Sequence, residues 1–272
     1  MNTIATDTTV VDVKPVRLLP AKLRAAFIHI GISVVILFVF LYLILVNWYP
    51  EPFFSTDGGW NGIQIMLFVD MVLGPALTFI IFNPRKSRKE ILVDLSIIAI
   101  VQISALAWGG LTVYKQRPIA VVEWGGTLWP LTQDPLHQQA KVVGDLEQFG
   151  SEPRPIIRAE PPKDEQGRMK AMELALNKDL SEAQQFWLFQ PFKESFAEVR
   201  QHALNISAVT RAHVEIGSAL EKFLSQNTGK KAEEFIYLKF SGRYKDAILI
   251  FDVSGNQVGA ITWGAPARLV EG

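Results

Sequence analysis

No cysteine occurs in the 272 residues. Disulfides, thiolate metal sites and a cysteine nucleophile are thereby excluded. Histidine is scarce, at four residues, and none stands at metal-ligand spacing from His213. An excess of either charge is also missing, since 27 Lys and Arg balance 27 Asp and Glu. A polyanion-binding surface is therefore not expected, and nucleic acid is not an expected partner. Gly-rich phosphate loops, His-Glu-x-x-His and nucleophile elbows are absent, and Ser, His and Asp are scattered without triad-like spacing. The chain reads as a non-enzyme with no cofactor and no metal site.

What is present is apolar length. Hydrophobic residues make up 49% of the chain and are concentrated before Tyr114. A bilayer span needs about 20 mostly apolar residues. Three segments qualify, at about 26–48, 62–82 and 91–114, within a three-helix transmembrane domain over residues 25–114. The first exceeds the apolar core of a signal peptide and ends in Asn47-Trp48-Tyr49-Pro50, an aromatic interface belt and not a cleavage site. Residues 1–24 form a tail without clear periodicity. Lys14, Arg17, Lys22 and Arg24 precede the first span, and Arg85, Lys86, Arg88 and Lys89 separate the second from the third. The loop between the first two spans has no Lys or Arg. The positive-inside rule then makes the tail and the basic loop cytoplasmic and exports everything after Tyr114.

Between residues 58 and 84 the one charge is Asp70. A carboxylate near a span centre costs roughly 2.5 to 3.5 kcal/mol on insertion scales, so it is expected to face protein. Asp70, Gly74 and Thr78 follow an i, i+4, i+8 pattern, with Pro75 beside them. Gln102 lies at a similar depth on the third span, and shares a face with Ala105 and Gly109. The pattern points to an intramembrane polar latch built from Asp70, Gly74, Pro75 and Gln102. A proton or ion relay and a contact with another membrane protein are the alternatives.

The exported part, residues 115–272, is long enough for one domain with its own core. Residues 118–124 read as a strand closed by Gly125-Gly126, and 131–162 as loop with short helical pieces. Helix is expected over 168–178; Ser181-Glu182-Ala183-Gln184 is a capping box opening another, and Pro191 suits the first position of the next. Ile206, Val209, His213, Ile216, Leu220 and Phe223 follow one amphipathic period. Segments 235–241, 246–253 and 257–263 alternate as strands. An α+β domain with a small antiparallel sheet is expected. Phe186, Trp187, Phe189, Phe192 and Phe196 form either a core helix pair or, through Phe186, Trp187, Phe189 and Phe192, a candidate partner-binding surface.

Several motifs occur in a fixed order: Ala26-Phe27-Ile28-His29, Trp48-Tyr49-Pro50, Val69-Asp70 with Leu73-Gly74-Pro75, and Phe82-Asn83-Pro84. Asp94-Leu95, Gln102 with Ala105-Leu106, and Val113-Tyr114 through Arg117-Pro118 continue the series. In these residues, from 22 to 122, the membrane half resembles the TfpX/TfpZ family of type IV pilin accessory proteins. A fainter echo lies at Gly242-Arg243-Tyr244-Lys245-Asp246 and the Gly255 turn, while residues 128–229 and the long tail depart from the pattern. The resemblance implies a pilin-specific chaperone or modulator for type IV pilus assembly in the bacterial inner membrane, with a periplasmic C-terminal domain. Type IV pilin is the implied partner, and the inner-membrane assembly platform and the lipid bilayer are further ones. A membrane-anchored periplasmic sensor or small-ligand-binding protein is the alternative. A reporter enzyme fused after Gly272 should be active only as an exported fusion, and one inserted near Ser87 only as a cytoplasmic one. A cytoplasmic signal from the C-terminal fusion would overturn the three-span topology.

Overall fold

The computed structural model describes residues 18–150 and 152–263. The expected tail therefore lies outside the described residues as far as position 17. Among the described residues, three helices are long and apolar enough to cross a membrane: Leu18–Trp48, Gly59–Ile81 and Arg88–Gln116. At 31, 23 and 29 residues they rise about 46, 34 and 43 Å. The first comprises α1 (Leu18–Tyr42) and a π-helical end at Leu43–Trp48. After the short α2 (Phe53–Thr56), the second comprises α3 (Gly59–Leu67), a π-helical segment Phe68–Leu73, and α4 (Gly74–Ile81). The third is α5 (Arg88–Lys115).

Pro75 accounts for the π segment. Proline has no N–H to give, and its ring clashes with the carbonyl four residues back. The ladder widens accordingly, and Gly74 N–H bonds Val69 O, five residues earlier. Asp70 sits inside this widened turn, so the simple i, i+4, i+8 phase joining it to Gly74 does not hold.

The chain forms two compact units. The first takes described residues 18–37 and 66–106. Within it Lys22 Nζ donates to Ile80 O at 3.0 Å, and Lys86 pairs with Asp94 Oδ2 at 2.6 Å. The second takes described residues 38–65, 107–150 and 152–263.

The second unit is organised on a seven-stranded sheet of order β4-β3-β1-β2-β5-β6-β7. The strands are β1 (Ala120–Trp124), β2 (Thr127–Leu131), β3 (Ile156–Ala159), β4 (Phe189–Pro191), β5 (Ile236–Ser241), β6 (Asp246–Phe251) and β7 (Gln257–Thr262). The strand expected before Gly125-Gly126 forms as β1; the two glycines, both at positive φ, turn it into β2, a strand not expected from the sequence. The β5–β6–β7 meander is antiparallel, again as read. The sheet is nevertheless neither small nor antiparallel throughout: β1 runs parallel to β3, and β2 parallel to β5. Strands β3 and β4 have four and three residues, too short to show alternation, and parallel pairs join segments far apart in sequence.

The remaining helices are α6 (Gln133–His137), α7 (Glu165–Lys178), α8 (Phe196–Val199), α9 (Ile206–Ala212) and α10 (Val214–Gln226). The capping box at Ser181 forms, but it opens one 3-10 turn, Glu182–Gln184, not a helix. Pro191 ends β4 instead of beginning a helix, pairing with Ile157 of β3. The long amphipathic period is two helices broken at His213, whose φ of −131° and ψ of 94° leave the helical region. Ile206, Val209, Ile216, Leu220 and Phe223 still bury together against Tyr237, Ile248 and Ile261 of the meander. A second cluster gathers Val122, Leu131, Leu136, Leu146, Ile157 and Leu188.

The segment joining the first two long helices is tied into this same unit. Thr56 O accepts the N–H groups of Tyr244 (2.9 Å) and Lys245 (3.3 Å), and Asp57 Oδ1 accepts Arg243 N–H at 3.0 Å. Arg154 donates to the carbonyls of Asn47 and Trp48 and, through Nε, to Pro118 O at 3.0 Å. Tyr49 is 2% exposed; its hydroxyl donates to Val113 O at 3.0 Å, and burial pushes its pKa up to about 12.

Gly242 lies under Thr56, where a Cβ would stand 2.6 Å from Thr56 Cβ and 2.6 Å from Lys245 O. Gly242→Ala should therefore cost about 1–3 kcal/mol, seen as a lowered thermal midpoint of the detergent-solubilised protein. Gly144→Ala, at a glycine with nothing within 4 Å, serves as the near-neutral control; equal midpoints for both variants would contradict the close approach.

Candidate functional site

Within the first unit, α1, the Phe68–Leu73 turn with α4, and α5 enclose a cavity of about 750 Å³. Its polar lining comprises Arg24, His29 and Ser33 from α1, Asp70 from the π segment, Thr78 from α4 and Gln102 from α5. His29 and Ser33 are four residues apart, so one helical face carries both. The rest of the wall is largely aliphatic, with Ile32, Ile98 and Leu106 among it.

The polar groups are unequally satisfied. His29 Nδ1 lies 2.7 Å from Thr78 Oγ1, and Thr78 is 2% exposed. Asp70 is 7% exposed, and its Oδ2 has no hydrogen-bond partner. Gln102 shares the cavity with Asp70, but no hydrogen bond joins the two among the described residues. The Gln102 amide instead lies against Gly74, where His29 Nε2 also comes within 2.8 Å of the place a Cβ would occupy. Gly74 thus provides the gap that admits two polar side chains from two other helices, the close approach that small residues allow between packed helices. The unsatisfied oxygen is the unusual element, because buried side-chain polar atoms are nearly always paired. The arrangement offers an unpaired carboxylate oxygen in a largely aliphatic recess.

The other residues singled out from the sequence fall elsewhere. Pro75 is buried and lines a separate apolar recess with Leu23, Phe27 and Phe79. Phe189 and Phe192 are core residues at 4% and 2% exposure, and Phe192 stacks with Phe196 and Phe251 at 5.5 and 5.4 Å. Phe186 and Trp187 are half-buried at the edge of the β1–β3 cluster, with Lys141 over the first ring and Lys170 over the second. His29 and Ser33 were not marked as site residues by pattern alone. Their signal is two polar side chains at i and i+4 inside an uncharged run.

The sheet domain has a cavity of about 790 Å³ beside the Gly125-Gly126 turn, where His202, Asn205 and Arg211 contribute polar groups. Glu123 next to it is buried, accepts Gly126 N–H at 2.8 Å and faces Arg158 Nε at 3.6 Å. Burial pushes its carboxyl above the ordinary range, against the pull of Gly126 and Arg158.

Comparison with known proteins bears on the membrane half. The profile of the family described as fimbrial assembly protein FimB matches residues 17–58. The chain is 38% identical over 95 residues to the fimbrial assembly protein of serogroup E1 from Dichelobacter nodosus, and 37% identical over 95 residues to that of serogroup I from the same organism. These matches cover 35% of this chain and 37% of each relative, so the likeness spans little more than a third of their length. The fimbrial assembly protein of serogroups C1 and C2, also from Dichelobacter nodosus, is 37% identical over 95 residues, covering 35% of this chain and 72% of that relative. No solved structure matches. With nearly three quarters of one relative accounted for at this identity, the chain belongs to the FimB family of fimbrial assembly proteins.

Proposed function

We propose that this chain is a non-enzymatic inner-membrane accessory protein of type IV pilus assembly, of the TfpX/TfpZ kind, acting on the pilin as a chaperone or modulator. The observation that carries the reading is the coincidence of the FimB match with the first long helix and the loop after it. That loop is the one held by Arg154 and by the bend at residues 242–245. The cations before the first helix and between the second and third favour a cytoplasmic N-terminus and a periplasmic sheet domain. A membrane-anchored pilin presents an apolar helix and an exported head. Three spans offer a docking face for the former, and the sheet domain one for the latter, by interactions that differ in kind.

A second reading, a sensor or small-ligand-binding domain, draws on the polar cavity beside Gly125-Gly126, whose volume suits a small molecule. Gene deletion separates the two. Under the first reading deletion cuts surface pili, counted by electron microscopy, by more than half while pilin still accumulates in the membrane. The intact gene restores them. Normal piliation in the deletion strain would overturn the assembly role and turn attention to the sheet-domain cavity.

A further inference from the structure

The cavity in the first unit lacks one thing that its chemistry demands. Asp70 is more than nine-tenths buried, and Oδ2 meets no donor. Among the donors that line the recess, His29 Nδ1 meets Thr78 Oγ1, the Gln102 amide lies against Gly74 and Arg24 stands on the α1 wall, and none of them bonds Asp70 Oδ2. At the same time the recess is open along one side, because its wall residues Ile28, Ile32 and Ile103 remain 57%, 58% and 65% exposed.

We propose that this recess receives an apolar membrane helix of a partner protein, and that a hydrogen-bond donor or cation on that helix meets Asp70. The proposal rests on reading the three helices as membrane spans and the chain as an assembly factor. The two kinds of wall discriminate among occupants. An acyl chain covers the isoleucines but offers Asp70 no donor. Water satisfies the carboxylate but leaves the aliphatic wall wet, which costs about 25 cal/mol per Å² of apolar surface. A helix with aliphatic side chains and one donor satisfies both, and an intramembrane hydrogen bond gains from the absence of competing water. Charge complementarity favours a cationic or amide-bearing helix over an acidic one, since a second carboxylate facing Asp70 would be repelled.

The test uses the full-length chain in its own host membrane, with the photocrosslinking amino acid p-benzoylphenylalanine at Ile32 inside the recess or at Ile100 outside it. At Ile32 the expected adduct, mapped by mass spectrometry, joins a membrane helix of another protein; at Ile100 adducts are with lipid. Asp70→Leu should reduce the Ile32 adduct at least about threefold, as for loss of one intramembrane hydrogen bond, while Asp70→Asn, which still accepts, keeps most of it. Ala99→Phe fills part of the recess and leaves Asp70 in place. It should lower the adduct in the same way, at unchanged protein level in the membrane. Replacing the donor residue of the captured helix by Leu should abolish the adduct. Lipid-only adducts, a second copy of this chain, or a helix adduct indifferent to both Asp70→Leu and Ala99→Phe would each overturn the proposal. If piliation depends on the gene while Ile32 yields only lipid, the recess proposal falls and the assembly role stands. Helix adducts that require Asp70 in a strain whose piliation ignores the gene would keep the recess and remove the role.

Discussion

Thr56 O carries two backbone hydrogen bonds, from Tyr244 and Lys245, and Asp57 beside it accepts a third, from Arg243. Thr56 is fully buried and Asp57 is 5% exposed, so loss of any partner would leave a desolvated polar group, at about 1–3 kcal/mol each. The side chains lock the same geometry: the Thr56 hydroxyl lies 2.6 Å from Asp57 Oδ2, and the Tyr244 ring lies against Gly58. Phe53 meets Phe240 of β5 edge-on at 5.8 Å, and Arg154 reaches over Phe53 to the carbonyls that close the first long helix. The connection between two long helices is thus built as part of the sheet domain's own fold. A bend of four residues at the β5–β6 junction supplies most of it.

This explains an odd feature of the sequence. The resemblance read from the sequence runs up to residue 122, lapses, and is read again, faintly, at Gly242–Asp246. The two stretches meet in space. Gly242 has no room for a side chain beneath Thr56, and Arg243 reaches Gln116 Oε1 at 2.7 Å besides holding Asp57. The segment between residues 128 and 229 returns the chain to that bend, and it contacts the loop through Arg154, which bonds the Asn47 and Trp48 carbonyls and lies over Phe53.

How much was legible follows from the range of each signal. The long helices were plain because their signal is the sum of some twenty apolar residues, needing no partner to be read. The β5–β7 meander was plain for a related reason: neighbouring strands with short turns carry their own alternation. Strands β3 and β4 were not, since Ile156–Ala159 and Phe189–Pro191 present too few residues for a period to emerge. The aromatics at 186–196 read as helix because their spacing suits one, yet they are distributed over a 3-10 turn, β4 and α8. Gln185 organises that irregular turn. It is fully buried, and its amide bonds Ala171 O, Leu180 O and the Trp187 indole. Such a hub depends on two backbone carbonyls and one indole brought together by the fold, and no periodicity marks it.

The site shows the same division. Asp70 and Gln102 could be marked from charge and depth, and the structure does bring them to one recess. The direct contact expected between them is not made as a hydrogen bond, because it depends on helical phase, and Pro75 shifts that phase through the Phe68–Leu73 π turn. The shift has a consequence for how the recess works. A regular turn leading from Asp70 to Gly74 would set the carboxylate on the same face as the close approach of His29 and Gln102, where donors are at hand. With the turn widened, Gly74 keeps that close approach while Asp70 Oδ2 is left buried without a hydrogen-bond partner. One proline thereby separates the contact that holds the helices together from the unpaired acceptor. A helix bundle that satisfied every polar group internally would be more stable and would have nothing to offer a partner.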